Sequence, residues 1–140
     1  MTKKEIPSIL LVEDDEVDIM NVKRAFKKNN IENPLHIAMN GLEALELLRR
    51  DDWGPSNPRP KVIISDINMP KMNGIEFIQE VRKDSSLKSL TVFVMTTSSE
   101  DSDKIDAYNL NVAGYIVKPM SFAKFVSAVG TLNEFWNLCE

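Results

Sequence analysis

The 140-residue chain has a single cysteine, Cys139, so no internal disulfide can staple it. No apolar run approaches the roughly 20 residues that cross a bilayer. The lysine-flanked start, MTKKEIP, also lacks the apolar core of a secretory leader. Positive charge is short as well. Against 21 Asp and Glu stand 17 Lys and Arg, a net charge of −4, which argues against a nucleic-acid footprint. Internal repeats and low-complexity tracts are missing. The expectation is a cytoplasmic globular protein that contacts neither membrane nor nucleic acid. With 43% hydrophobic and 27% charged residues, the chain suffices for one domain with a proper core.

What is present alternates. The β-like runs are Ser8–Glu13 (SILLVE), Pro34–Met39 (PLHIAM), Lys61–Asp66 (KVIISD), Thr91–Thr96 (TVFVMT) and Ala113–Lys118 (AGYIVK). Ile19, Val22 and Phe26 recur at helical spacing ahead of Lys27-Lys28-Asn29-Asn30. Those lysines suit a helix C-terminus and the asparagines its exit. Leu42, Leu45 and Leu48 mark a helix over 41–50, and Phe77, Ile78 and Val81 one over 74–83. A fourth helix is expected over Glu100–Leu110, capped by Ser98 or Ser99. A fifth follows Ser121, with Phe122, Phe125, Val126, Val129 and Trp136 on one stripe. Between the second helix and third strand, Asp51–Pro60 (DDWGPSNPRP) is a loop, because three prolines and one glycine forbid a helix or strand. Strict β-α alternation with short connections implies a doubly wound α/β domain, a parallel sheet with helices on both faces.

Ligands of such sheets collect beyond the carboxyl ends of the strands. There the first strand ends in Glu13 and Asp14, the third in Asp66, the fourth in Thr96 and the fifth in Lys118. A single acidic residue at a strand end is most simply solvated or capping. Three that converge beside a hydroxyl and a lysine make a site. Two carboxylates 4 Å apart repel by about 4 kcal/mol at an effective dielectric near 20, so the cluster calls for a hard cation such as Mg²⁺. Lys118, held extended by Pro119, can neutralise an anion bound next to that metal. Thr96 can donate its hydroxyl to a phosphoryl oxygen. His36, the only histidine, sits mid-strand in PLHIAM and reads as structural, as do Trp53 and Cys139.

The set VEDD at 12–15, SDINMPKMNG at 65–74, MTTS at 95–98 and GYIVKP at 114–119 resembles the receiver domain of two-component response regulators. The likeness runs from about Ile9 to Trp136. It implies a flavodoxin-like fold with five strands in the order 2-1-3-4-5 and five helices, as in the chemotaxis member of the family. It further implies that Asp66 is the phosphoacceptor, attacking a histidine-kinase phosphohistidine. Asp14 and Asp66 would ligate Mg²⁺ directly, with the backbone carbonyl of Asn68, while Glu13 acts through a metal-bound water. Lys118 would offset phosphoryl charge, Thr96 would be the switch hydroxyl and Tyr115 the aromatic behind it. The Lys118–Pro119 bond is expected to be cis. Such a protein supports its own phosphorylation and dephosphorylation without being a dedicated enzyme. Thr97 and Met120 depart from the commonest family pattern, which leaves phosphorylation rate and lifetime open.

Because the last helical stripe runs to Trp136, residues 1–140 are expected to be a single receiver domain with no output domain. Output would pass through partner binding or onward phosphotransfer. The 51–60 loop and the Phe135-Trp136 ending are similar to stand-alone receivers partnered with bacterial phytochromes, so a sensor histidine kinase or phosphotransfer protein is the expected partner. On the last helix, Phe135 and Leu138 fall off the buried stripe. They suggest a homodimer through the face made by the fourth helix, fifth strand and last helix. Two other classes stand beside this reading. A Mg²⁺-dependent phosphohydrolase with an aspartate nucleophile would want a second aspartate where Asn68 stands. A flavodoxin-like cofactor binder would want a phosphate-cradling loop where the acidic EDDE follows the first strand.

Overall fold

Four consecutive apolar residues, Ile9–Val12 (β1), are buried along their whole length, the mark of a strand covered on both faces. Asp15 then turns the chain. Its carboxylate accepts from the N–H groups of Val17 and Asp18 at 2.8 and 3.2 Å and caps Glu16–Lys28 (α1). The edge strand Leu35–Ala38 (β2) and helix Gly41–Leu48 (α2) follow, then Val62–Asp66 (β3), Gly74–Lys83 (α3), Thr91–Thr96 (β4) and Gly114–Val117 (β5). A C-terminal helix, Phe122–Leu138, closes the order, its start capped by Ser121 Oγ accepting from Lys124 N–H at 3.2 Å. This computed structural model describes residues 7–96, 105, 109–117 and 121–138, with 117 and 135–138 by backbone alone.

All strand pairs are parallel and the order is β2-β1-β3-β4-β5, as expected. Alternate strand residues feed two cores. Leu10, Val12, Ile63, Val92 and Val94 pack toward α2 and α3, whereas Ile9, Leu11, Ile64, Phe93 and Met95 pack toward α1 and the C-terminal helix. Each fully buried Leu, Ile or Phe contributes about 1.5–3 kcal/mol, so the sheet core dominates the stability.

One expectation is revised. Four helices, not five, lie among the described residues. The fourth expected one, over 100–110, falls mostly outside them, although Ile105 is helical and its carbonyl accepts from Leu110 N–H at 3.2 Å. Leu42, whose spacing with Leu45 and Leu48 marks α2 in the sequence, is 43% exposed. The buried face is Gly41, Ala44, Leu45 and Leu48, and Leu42 lies about 100° around the helix from Gly41.

The α1 and C-terminal helices are clasped by one side chain. Asn29 Nδ2 donates to Ala25 O and to Val126 O, both at 2.9 Å. Opposite it, a Cβ on Gly130 would come within 2.7 Å of Asn29 Oδ1, so the missing side chain is what lets the helices approach. Nearby, the Arg24 guanidinium lies 4.5 Å from the centroid of the Phe122 ring.

The 51–60 loop has no strand or helix and is anchored by Trp53. The indole N–H donates to Leu47 O at 3.1 Å, Arg50 stacks over the ring at 4.7 Å, and His36 of β2 meets it edge-on at 5.4 Å. Burial first, and the Arg50 charge second, hold the His36 imidazole below its ordinary value of 6.5. The fold therefore favours neutral His36. Stability is expected to be full above pH 6.5 and to decline as pH falls through the lowered folded value, because the unfolded chain binds the proton first. Urea midpoints at pH 7.5 and 5.5 check this, and His36→Gln should flatten the difference; a difference unchanged in that variant would place its origin elsewhere.

Candidate phosphoryl-acceptor and metal site

The β1–β3 register pairs Val12 with Ser65, so the next residues, Glu13 and Asp66, leave the sheet level with each other. Glu13 is fully buried, Asp66 is 7% exposed, and Asp14 is more open than either. Their carboxylate oxygens lie within 4.8 Å of one another. At that separation each like-charged pair costs about 3 kcal/mol at an effective dielectric near 20. Hard oxygen donors with three formal negative charges suit a divalent cation of the Mg²⁺ type, and no soft ligand is among them.

The β3–α3 turn aims Asp66. Its Oδ1 accepts from Ile67 N–H at 2.9 Å, while Ser65 Oγ donates to Asp66 O at 2.8 Å. Gly74 N–H donates back to Ile67 O at 2.8 Å, so the helix start folds onto the strand end. Contact there is very close: a Cβ on Gly74 would stand 2.2 Å from Asp66 O. Lys71 takes a left-handed conformation at φ 66° within the turn. Asn73 and Glu76 then fix α3 with a reciprocal capping box, Asn73 Oδ1 accepting at 2.9 Å and Glu76 Oε1 at 3.2 Å. Glu13 is held as well, its Oε1 accepting from Asp15 N–H at 3.1 Å.

The other expected residues divide. Thr96, the last residue of β4, is buried, one step beyond Met95, the register partner of Asp66. Asn68 is exposed two residues into the turn. Tyr115 of β5 is 37% exposed and pairs in register with Val94. Lys118, the Lys118–Pro119 bond, Thr97 and Met120 lie outside the described residues, as do the side chains of Phe135, Trp136 and Leu138. In the sequence Asn73 and Gly74 read only as turn residues, and neither Ser65 nor the Asn73–Glu76 pair is singled out. Only the pair carries a sequence signal, the N-x-x-E capping pattern.

A five-stranded parallel sheet with carboxylates gathered at the ends of its first and third strands, and a buried threonine ending the fourth, defines a doubly wound α/β domain with a candidate cation site at one sheet edge. Residues 9–130 match the response regulator receiver domain, and the chain belongs to that family of two-component signalling proteins, regulators rather than dedicated enzymes. It is 34% identical to the response regulator Rcp1 of Synechocystis sp. over 91% of this chain and 87% of that one. The phosphorylated cyanobacterial phytochrome response regulator RcpA superposes with a TM-score of 0.82 at 30% identity, covering 97% of both chains. The Mn²⁺-bound form of Rcp1 does so with a TM-score of 0.79 at 33% identity, covering 96% of both.

Proposed function

We propose that Asp66 accepts a phosphoryl group from a phosphohistidine of a sensor histidine kinase or phosphotransfer protein. The observation that carries this reading is the convergence of Glu13, Asp14 and Asp66 at one sheet edge. A carboxylate oxygen of Asp66 attacks phosphorus, the P–N bond to the imidazole breaks, and solvent returns a proton to the leaving nitrogen. The product is an acyl phosphate on Asp66. Mg²⁺, when bound, offsets charge on the phosphoryl oxygens. Asp14, Asp66 and the Asn68 carbonyl would hold it, with Glu13 acting through water. Thr96, buried at the neighbouring strand end, would donate its hydroxyl to a phosphoryl oxygen, and Lys118 would add positive charge. Tyr115, half-open on β5, would transmit the change to a partner-binding face that also offers the homodimer contact. The likeness to RcpA supports a kinase of the phytochrome class as donor.

Mass spectrometry after incubation with acetyl phosphate tests this. A single, hydroxylamine-labile phosphoryl adduct on Asp66 is expected with Mg²⁺ present, and none in excess chelator. Asp66→Asn should lose the adduct. The same variant removes one charge from the crowded cluster and should raise the metal-free melting temperature by a few degrees. An adduct on another residue, or one indifferent to chelator, would overturn the assignment.

A further inference from the structure

Among the described residues no strand pairs with the outer edge of β2, and a groove runs beside it. In the β1–β2 ladder, Ile9 N–H donates to Pro34 O at 2.9 Å and Glu13 N–H to Ala38 O at 3.0 Å. Parallel pairing uses alternate residues, so His36 and Ala38 turn their backbone groups to β1 while Leu35 and Ile37 turn theirs outward. Among the described residues, no backbone bond from outside the sheet reaches Leu35 or Ile37. Between this edge and α1 lies a groove of about 450 Å³. Its floor is apolar, formed by Phe26, Ile31, Leu35 and Ile37, and its rim carries Lys23 and Lys27.

We propose that this edge takes an extended acidic peptide of a partner protein as a sixth strand. Both lysines are exposed and stand one helical turn apart, about 5–6 Å between Cβ atoms. Alternate side chains of an added strand repeat every ~6.6 Å, so carboxylates at alternate positions meet the two ammonium groups in turn. Among the described residues Glu32 is the one carboxylate lining the groove, in a chain whose net charge is −4. A second copy pairing through the same edge would bring Leu35, His36 and Ile37 against the lysines, with Glu32 as its single carboxylate near that edge. The partner's backbone supplies pairing, the methylene stems of its acidic residues cover the floor, and their carboxylates fix the register. This surface lies at the far end of α1 from the acidic cluster and is independent of it.

Amide shifts of the isotope-labelled full chain test the proposal with three blocked heptapeptides. One alternates glutamate and valine, one lysine and valine, and the third is the first N-methylated at alternate amides. The Glu/Val peptide is expected to move the amides of residues 23–38, with either control at least about tenfold weaker. The Lys23→Glu/Lys27→Glu variant, changed only at exposed positions and checked by circular dichroism, should also lose about tenfold. No shifts at ~5 mM peptide, shifts centred elsewhere, or an equal response to a control or by the variant would overturn it.

Discussion

Replacing Gly74 by alanine is expected to cost about 3–4 kcal/mol and to lower cation affinity at least about tenfold. The new Cβ would stand 2.2 Å from the carbonyl oxygen of Asp66 and 2.9 Å from Ile67 Cα. Both are backbone atoms, so no side-chain rotation relieves the overlap. The helix start must lift from the strand end, and the Ile67 carbonyl loses the Gly74 N–H. Alanine's better helix propensity returns less than about 1 kcal/mol, so the clash wins. Urea unfolding reads the stability and calorimetric titration with Mg²⁺ the affinity. A urea midpoint equal to that of the parent would show that the turn yields freely.

Arg82→Met should be nearly as damaging, for a different reason. Arg82 on α3 donates Nε to Leu110 O and Nη1 to Lys88 O and Leu90 O, each at 2.8 Å, and Nη2 to Asn111 O at 3.0 Å. One guanidinium thus ties the approach to β4 and the approach to β5 to the same helix. Burial lowers its pKa from the ordinary arginine value, and it remains a cation throughout the working range. Charged hydrogen bonds contribute about 1.5–3 kcal/mol each, but this group is half-exposed and water reaches the freed carbonyls. A net loss of about 3 kcal/mol, or roughly 10 °C in melting temperature, is expected. Arg82→Lys should recover less than half, since an ammonium cannot span four carbonyls. Hydrogen exchange at residues 110–113 should accelerate first. A variant that melts with the parent would reduce Arg82 to a surface residue.

These two positions mark where sequence reading stops. The strand SILLVE is legible because an apolar run ending in acids has few other uses, and β1 spans Ile9–Val12 within it. Helix α3 falls on the expected 74–83, since Asn73 opens it and Arg82 and Lys83 end it. The carboxylate cluster is legible for a topological reason. Parallel strands deliver their last residues to one edge, so Glu13, Asp14 and Asp66 had to meet. Distances between segments carry no such signal. Gly74 reads as an ordinary turn glycine until Asp66 O is placed against it. Arg82 reads as a helix-ending cation, and its four carbonyl partners come from loops without a pattern. His36 reads as a structural mid-strand residue, whereas its contact with Trp53 of the 51–60 loop has no signal in the sequence.

The clasp formed by Asn29 has a consequence for biosynthesis. Its acceptor Val126 lies 97 residues further along the chain. At about 5–20 residues per second, the ribosome needs about 5–20 s to travel that distance. For that interval Ile9, Leu11 and Ile64 lack the Phe125, Val129 and Leu132 cover that completes their core. The α2–α3 side of the sheet can be sealed early, from elements that have already emerged, whereas the α1 side stays greasy until the final helix arrives. The nascent domain is therefore lopsided, with one finished flank and one adhesive flank. A translational pause upstream of residue 122 would lengthen the period in which chaperones, or neighbouring chains, can engage the adhesive one.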